Sequence, residues 1–410
     1  MKTLGIPLAV LASASLLDLP AAWAQDANTQ AEAEGFFRYL AEDRAYPYQD
    51  NSTEFTGGRG NYFLFVFRDI NRNGIYDIGD RPLPAIAVRL TKPDGETTTN
   101  RSNLNGFAAF PGSVLNDEAV IRHPGAYELE PVVPRGWSLT TGNAKQTLNF
   151  RTRPGSIADM VVDRMPDPVG LVQDLYVTGT IAFSGTGEVP DGEIAAAASA
   201  PGKPDVDISV ALDGSYLTFL APGDWQLTFE HAESGERAER TIAVRDAPVH
   251  VSTITLGADP KPESTGAVTI DFEDITGSNL AELPSGVAGL YWHNMVATDF
   301  LFYGGPGYMN NSMSGKFVAY SSGGHPVTLW RDEPFDFAGA YFGVAWPQSQ
   351  GESLVARAWA NGQLVAEDRI RLSALGPVWF DAEYRQVDKI ELSTENFWQF
   401  VTDDFVVRVP

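Results

Sequence analysis

Wherever this chain turns apolar it does so briefly, and a turn signal cuts each run before a helix could establish itself. Tyr62 to Phe67 (YFLFVF), Ala85 to Leu90 (AIAVRL), Thr97 to Thr99 and Phe107 to Phe110 are separated by polar segments that include Pro93-Asp94-Gly95-Glu96 and Asn105-Gly106. Short runs rich in aromatic and β-branched residues, bounded by hairpin-type turns, predict strands. The 39 glycines and 27 prolines among 410 residues carry the same punctuation through the chain. With 43% hydrophobic and 20% charged residues there is apolar material for real cores rather than a disordered chain. The expectation is an all-β protein, and this length allows two or three domains.

Between the first two of those strands lies Asp69-Ile70-Asn71-Arg72-Asn73-Gly74-Ile75-Tyr76-Asp77-Ile78-Gly79-Asp80. Asp69, Asn71, Asn73, Asp77 and Asp80 place side-chain oxygens at loop positions 1, 3, 5, 9 and 12, and Gly74 at position 6 permits a sharp turn. With the backbone carbonyl of Ile75, six or seven oxygens become available to one hard cation, so the loop is expected to bind calcium. A plain polar turn is the competing reading, and it has no need of so many matched positions. Both flanks read as strands, so no helix pair is present to open as in a calcium sensor. The ion is expected to be structural, at an extracellular-type affinity of about 10⁻⁴ to 10⁻³ M.

Several motifs follow the loop in order: a proline-bearing step into Val88-Arg89-Leu90, the Asp94-Gly95 turn, Asn105-Gly106-Phe107 leading to Phe110, and Pro124-Gly125-Ala126-Tyr127. Together with Phe65-Val66-Phe67-Arg68-Asp69 they resemble the B-type repeats of serine-aspartate-repeat surface proteins, over about residues 60 to 152. That resemblance implies a β-sandwich of the collagen-adhesin B type with calcium in the loop, of the kind met as a stalk or adhesive spacer in bacterial surface and matrix proteins. Asp80 departs from the pattern, since the family more often has Glu there. The shorter side chain is expected to reach the ion through one oxygen or a water and to weaken binding. An isopeptide cross-link, implied by some relatives, would want a lysine in the early strand, and Tyr62 to Arg68 has none.

A boundary is expected at 153 to 169, where Pro154, Gly155, Pro166 and Pro168 break up any long element. From 170 to 256 the order Asp213-Gly214-Ser215-Tyr216, then Pro222-Gly223-Asp224-Trp225, resembles a carboxypeptidase-regulatory-like module, which implies a small β-sandwich spacer. Residues 258 to 265 (ADPKPEST) read as a linker. The last module, 267 to 410, holds Trp292, Trp330, Trp346, Trp359, Trp379 and Trp398, and its strand spacing predicts a jelly roll or galactose-binding-like sandwich. Its ends, Asp271-Phe272-Glu273-Asp274 and Asp403-Asp404-Phe405, loosely resemble the terminal strands of lectin-like jelly rolls. If those ends pair, their carboxylates meet, and a second calcium or simple solvation are the alternatives. The tryptophans divide between core packing and a sugar-stacking platform.

The first 24 residues, with Lys2, the apolar run from Leu4 to Leu19 and Ala22-Trp23-Ala24, read as a signal peptide. Residues 25 to 60 read as a leader whose Phe36, Phe37, Tyr39 and Leu40 cover the first domain. The chain has no cysteine, so neither disulfides nor thiolate metal sites arise. A net charge of −24 repels nucleic acid and anionic membrane, while it attracts divalent cations. No long apolar segment predicts a membrane helix. His123, His231, His250, His293 and His325 are scattered and no nucleophile elbow or phosphate loop is present, so no enzyme is expected. The sequence therefore predicts a secreted adhesive, matrix or scaffold protein acting on an extracellular protein or glycan, with a periplasmic location as an alternative. Carbohydrate binding through the C-terminal module is the second reading.

Overall fold

A computed structural model describes residues 61 to 409 except 114–118, 154–159, 185, 190, 260, 261, 263 and 276. The expected signal peptide and leader lie outside the described residues. The described chain is all-β.

The first module pairs two five-stranded sheets. It comprises β1 (Asn61–Arg68), β2 (Arg81–Pro82), β3 (Ala87–Thr91), β4 (Thr97–Arg101), β5 (Phe107–Pro111), β6 (Gly125–Pro131), β7 (Trp137–Leu139), β8 (Gln146–Thr152), β9 (Met160–Val162) and β10 (Val169–Gln173). One sheet runs β2-β1-β10-β7 with β5 also on β1, and the other runs β4-β3-β6-β8-β9. Strict alternation fixes which face is inward: in β8 Gln146, Leu148 and Phe150 are buried while Thr147 and Asn149 are exposed. Tyr62, Leu64, Val66, Val88, Leu90, Tyr127, Leu129, Leu148 and Phe150 share one core. The strand read from 85 starts at Ala87, because Ala85 takes a left-handed φ of 70° in the turn before it. The segment read as a boundary carries β9, paired with β8, and β10, paired parallel to β1 through Val66 and Val169. Pro166 and Pro168 lie between β9 and β10.

The second module comprises β11 (Tyr176–Phe183), β12 (Ile194–Ser199), β13 (Val206–Asp207), β14 (Ser215–Phe219), β15 (Gly223–His231), β16 (Arg237–Val244), β17 (Val249–Val251) and β18 (Ile254–Leu256). Sheet β13-β12-β15-β16 faces β14-β11-β17, with β18 also on β11, over a core centred on Val177, Trp225, Leu227, Phe229 and Val251.

The third module comprises β19 (Gly266–Ile270), β20 (Leu280–Glu282), β21 (Tyr291–His293), β22 (Met295–Asp299), β23 (Phe317–Ser321), β24 (Val327–Val344), β25 (Ser353–Ala360), β26 (Gln363–Arg371), β27 (Val378–Thr394) and β28 (Phe400–Val409). The long β24 and β27 change neighbours along their length at β-bulges, which lets them serve both layers of a sandwich. Phe335, Phe337, Phe342, Phe380, Phe400 and Phe405 fill the interior. Each fully buried side chain of this size contributes roughly 1.5–3 kcal/mol.

The second and third modules are not separate sheets. β17 pairs parallel to β27, Val249 with Trp379 and Val251 with Asp381, so one fourteen-stranded sheet runs through both.

Candidate calcium-binding loop

β1 ends at Arg68, and the Asp69 N–H continues its ladder by donating to the Leu171 carbonyl at 2.9 Å. This anchors Asp69 with no exposed surface at the root of the loop. The backbone then curls through left-handed conformations at Arg72 (φ 61°), Gly74 (φ 76°) and Gly79 (φ 107°). The buried carboxylate is the hub of the curl. Its Oδ1 accepts the Asn73 N–H at 3.2 Å and its Oδ2 the Gly74 N–H at 2.7 Å. Asn71 and Asn73 each accept a backbone N–H two residues on, at 3.0 and 2.7 Å. Asp80 closes the loop, accepting the Ile70 N–H at 2.9 Å and the Asp77 N–H at 3.1 Å.

Asp77 is gripped from both sides, since Asn71 Nδ2 donates to its Oδ1 and Asn73 Nδ2 to its Oδ2, each at 2.8 Å. The structure thus brings Asp69, Asn71, Asn73, Asp77 and Asp80 into one hydrogen-bonded curl. Ile75 lies on its outside, 64% exposed, with its N–H donated to Asn73. The donor set is made of carboxylate and amide oxygens, the ligand type of a hard cation. Every carboxylate and amide oxygen has more than one acceptor lone pair, so the backbone bonds leave capacity for an ion. Among the described residues no three histidine, cysteine or acidic groups converge at metal-holding spacing, so the amide oxygens of Asn71 and Asn73 are needed beside the carboxylates. On those terms the residues fit calcium.

Two arginines flank the loop, and the sequence reading passed over both. Arg68 is buried, and burial together with the nearby Arg81 charge lowers its guanidinium pKa to about 10. It donates to the Gln173 side chain at 3.1 Å, the Asp246 carbonyl at 3.1 Å and the Asn310 carbonyl at 3.5 Å, one partner in each module. Arg81 donates to the carbonyls of Ser312 at 2.7 Å and Met313 at 3.4 Å. Asn310 returns a bond from Nδ2 to the Pro84 carbonyl at 3.3 Å. Within the loop, Arg72 turns away from the carboxylates to the Gln173 carbonyl at 3.3 Å. An arginine next to each end of an acidic loop was the available signal, but its partners lie far along the chain.

The ends of the third module do pair, Ile270 with Phe405. Their carboxylates do not pool. Asp403 Oδ2 accepts the N–H groups of Met313 and Ser314 at 2.6 and 3.0 Å, and Asp404 accepts the Ser314 hydroxyl at 2.8 Å. Glu273 accepts the N–H groups of Lys316 and Phe317, both at 2.6 Å, while Asp271 accepts the Glu273 N–H. They organise the segment from 313 to 317. Burial raises the Asp403 carboxyl to about 7.

Trp292 is buried, Trp346, Trp359, Trp379 and Trp398 are half-buried, and Trp330 is exposed. His250 is half-buried with Nδ1 at 3.0 Å from the Thr178 hydroxyl, and desolvation pushes its pKa down to about 4, whereas His231 is held by Ser234 and the Asp191 carbonyl.

No family model matches the chain, and no curated protein matches it. Among solved structures it is similar to the shaft pilin SpaA of Lactobacillus rhamnosus GG, at 13% identity and a TM-score of 0.22, over 50% of this chain and 100% of the pilin. It is also similar to the Bacillus anthracis TIE protein, at 8% identity and 0.20, over 82% of this chain and 44% of that one. A streptococcal ancillary pilin matches at 13% and 0.20, over 49% and 63%. Similarity at this level assigns neither family nor role.

Proposed function

We propose that this protein is an extracellular adhesive or scaffold component whose first sandwich is stiffened by a structural calcium ion. The observation that carries the reading is the curl itself, in which the buried Asp69 carboxylate holds the Asn73–Gly74 backbone, Asn71 and Asn73 hold Asp77, and Asp80 closes the loop between two β-strands. The ion would be held by these side chains and the Ile75 carbonyl, with the amide oxygens of Asn71 and Asn73 completing what the carboxylates alone do not supply. Strands on both sides give the ion no element to swing, so its role is mechanical. Among the described residues no helix is long and apolar enough to cross a membrane. Export itself rests on the first 24 residues, which lie outside the described part.

Calorimetric unfolding in calcium and in chelator tests this reading on the wild type and on Asp69→Ala. Calcium is expected to raise the transition in which the wild-type first module unfolds, whether alone or with its neighbours, and to leave that of the variant in place. An unchanged transition throughout would overturn it.

A specific observation favours a second reading, carbohydrate binding by the third module. Tyr291 and Trp330, 43% and 37% exposed, stack at 5.5 Å between ring centroids on the outer face of the sheet.

A further inference from the structure

Resting on that second reading, we infer that the outer face of β21, β24, β27 and β25 is a platform for an extended, uncharged polysaccharide laid across the strands. The pairing register places Tyr291 opposite Trp330, Trp330 opposite Lys389, and Lys389 opposite Trp359. Directly paired residues project from the same face, so these four form one row, with the exposed Leu364 extending it onto β26. Lys389 Nζ lies 3.8 Å from the Trp359 ring centroid, so the ammonium rests on one face of that indole within the row. With strands about 4.8 Å apart, Trp330 and Trp359 stand about 10 Å from one another along the row. Rings repeated at that interval match a ligand built from repeated flat units.

A second row runs beside the first. His293 pairs with Thr328, Thr328 with Glu391, Glu391 with Arg357, and Arg357 with Glu367. Stacking surface and hydrogen-bonding groups therefore lie side by side, which is the division of labour a sugar requires. Pyranose rings joined through equatorial positions expose C–H faces to aromatic rings and hydroxyls at their edges. Across the two rows the charges balance, Lys389 and Arg357 against Glu367 and Glu391, and Arg357 bridges Glu367 at 2.8 Å and Glu391 at 3.3 Å. Arg331 pairs with Glu333 at 2.7 Å, and both line a cleft of about 440 Å³ together with Tyr291, Ser285 and Asp332. An internally neutralised face on a chain of net charge −24 suits an uncharged glycan and repels a polyanion.

The test uses the full chain with cellohexaose, an uncharged chain of equatorially linked pyranose units, in isothermal titration calorimetry, with polygalacturonate as the charged comparison and a glycan array alongside. Binding of cellohexaose is expected, weakened about tenfold or more by Trp330→Ala and by Trp359→Ala. Trp330→Phe should retain part of the affinity. Thermal unfolding of all three variants should match the wild type, since neither ring belongs to the core. Chelator should leave the affinity unchanged. Cellohexaose or array binding that survives the double alanine variant, or preference for polygalacturonate, would overturn the platform while leaving a carbohydrate role standing. No binding to any glycan would remove both. A dimer that Trp330→Ala dissociates would show that a second copy covers this face, and would overturn the proposal.

Discussion

Gly74 shows how narrowly the loop is specified at the level of one residue. Its φ of 76° is costly for any L-residue, and a Cβ placed there would lie 3.0 Å from the Thr140 carbonyl oxygen. Gly74→Ala is expected to destabilise the first module by about 1–2 kcal/mol, and differential scanning calorimetry should find the joint transition that contains it lowered by at most roughly 2–4 °C per kcal/mol. An unshifted transition would mean that the curl relaxes freely. Asp403 makes the opposite kind of demand, because burial raises its carboxyl to about 7 in the folded state, against about 3.9 for an unperturbed aspartate. The folded chain therefore binds that proton more tightly than the unfolded chain. The stability from this group is fully present below about pH 4 and is lost as pH rises through about 7, by an amount on the order of 3–4 kcal/mol. Urea unfolding between pH 4 and 8 should show this decline in the wild type and a flatter profile in Asp403→Asn. The level of the variant's curve will also drop, since an amide nitrogen would face the Asp404 N–H that Asp403 Oδ1 now accepts. The slope is thus the informative quantity, and equal slopes would refute the assignment.

At the level of elements, much of the pattern was legible from the chain. The alternation in β15, where Trp225, Leu227, Phe229 and His231 are buried between exposed or half-buried residues, can be read directly from GDWQLTFEH, and the Asp94-Gly95 and Asn105-Gly106 turns stand where the sequence puts them. What could not be read was which strands meet across modules. β17 is three residues long, and nothing in Val249-His250-Val251 announces a partner in β27. Its register is held by side chains instead. Arg240 binds the Asp381 carboxylate at 2.7 Å and the Asp381 carbonyl at 3.0 Å, while Thr253 donates its N–H and hydroxyl to Asp368 at 2.7 Å. Burial raises the Asp381 carboxyl pKa despite the adjacent guanidinium, so the pair orients the seam more than it adds net stability. Removing either partner alone should still cost about 3 kcal/mol, because the other charge is left buried. A double-mutant cycle with Arg240→Ala and Asp381→Ala, followed by urea unfolding, should therefore be strongly non-additive. Additive losses would show that the two groups act separately. The candidate loop was legible for a related reason: its ligand-type residues are consecutive, whereas the tryptophan row is assembled from strands distant in sequence.

Across the whole molecule the calcium-type loop is more than a local feature, because both residues that flank it leave the first module. Arg68 precedes Asp69 and reaches Gln173, Asp246 and Asn310; Arg81 follows Asp80 and reaches Ser312 and Met313. Gln173 adds a bond from Nε2 to the Pro377 carbonyl at 3.2 Å. The conformation of the loop sets the spacing of the two arginines, and that spacing must match carbonyls presented by the other modules. Hydrogen bonds from a charged donor contribute about 1.5–3 kcal/mol each, and a buried carbonyl left without its donor adds its own desolvation cost. Arg68→Ala should therefore uncouple the modules rather than merely soften one of them. Calorimetry of the wild type is expected to show the first module unfolding together with the continuous sheet of the second and third, and the variant to show an earlier, separate transition. Small-angle scattering should report a larger radius of gyration for the variant under native conditions. Arg68→Lys is the discriminating control, because it keeps the charge but cannot reach three partners with a planar fork. If Arg68→Lys behaves like the wild type in both measurements, charge neutralisation rather than the fork joins the modules, and the geometric account of the junction fails.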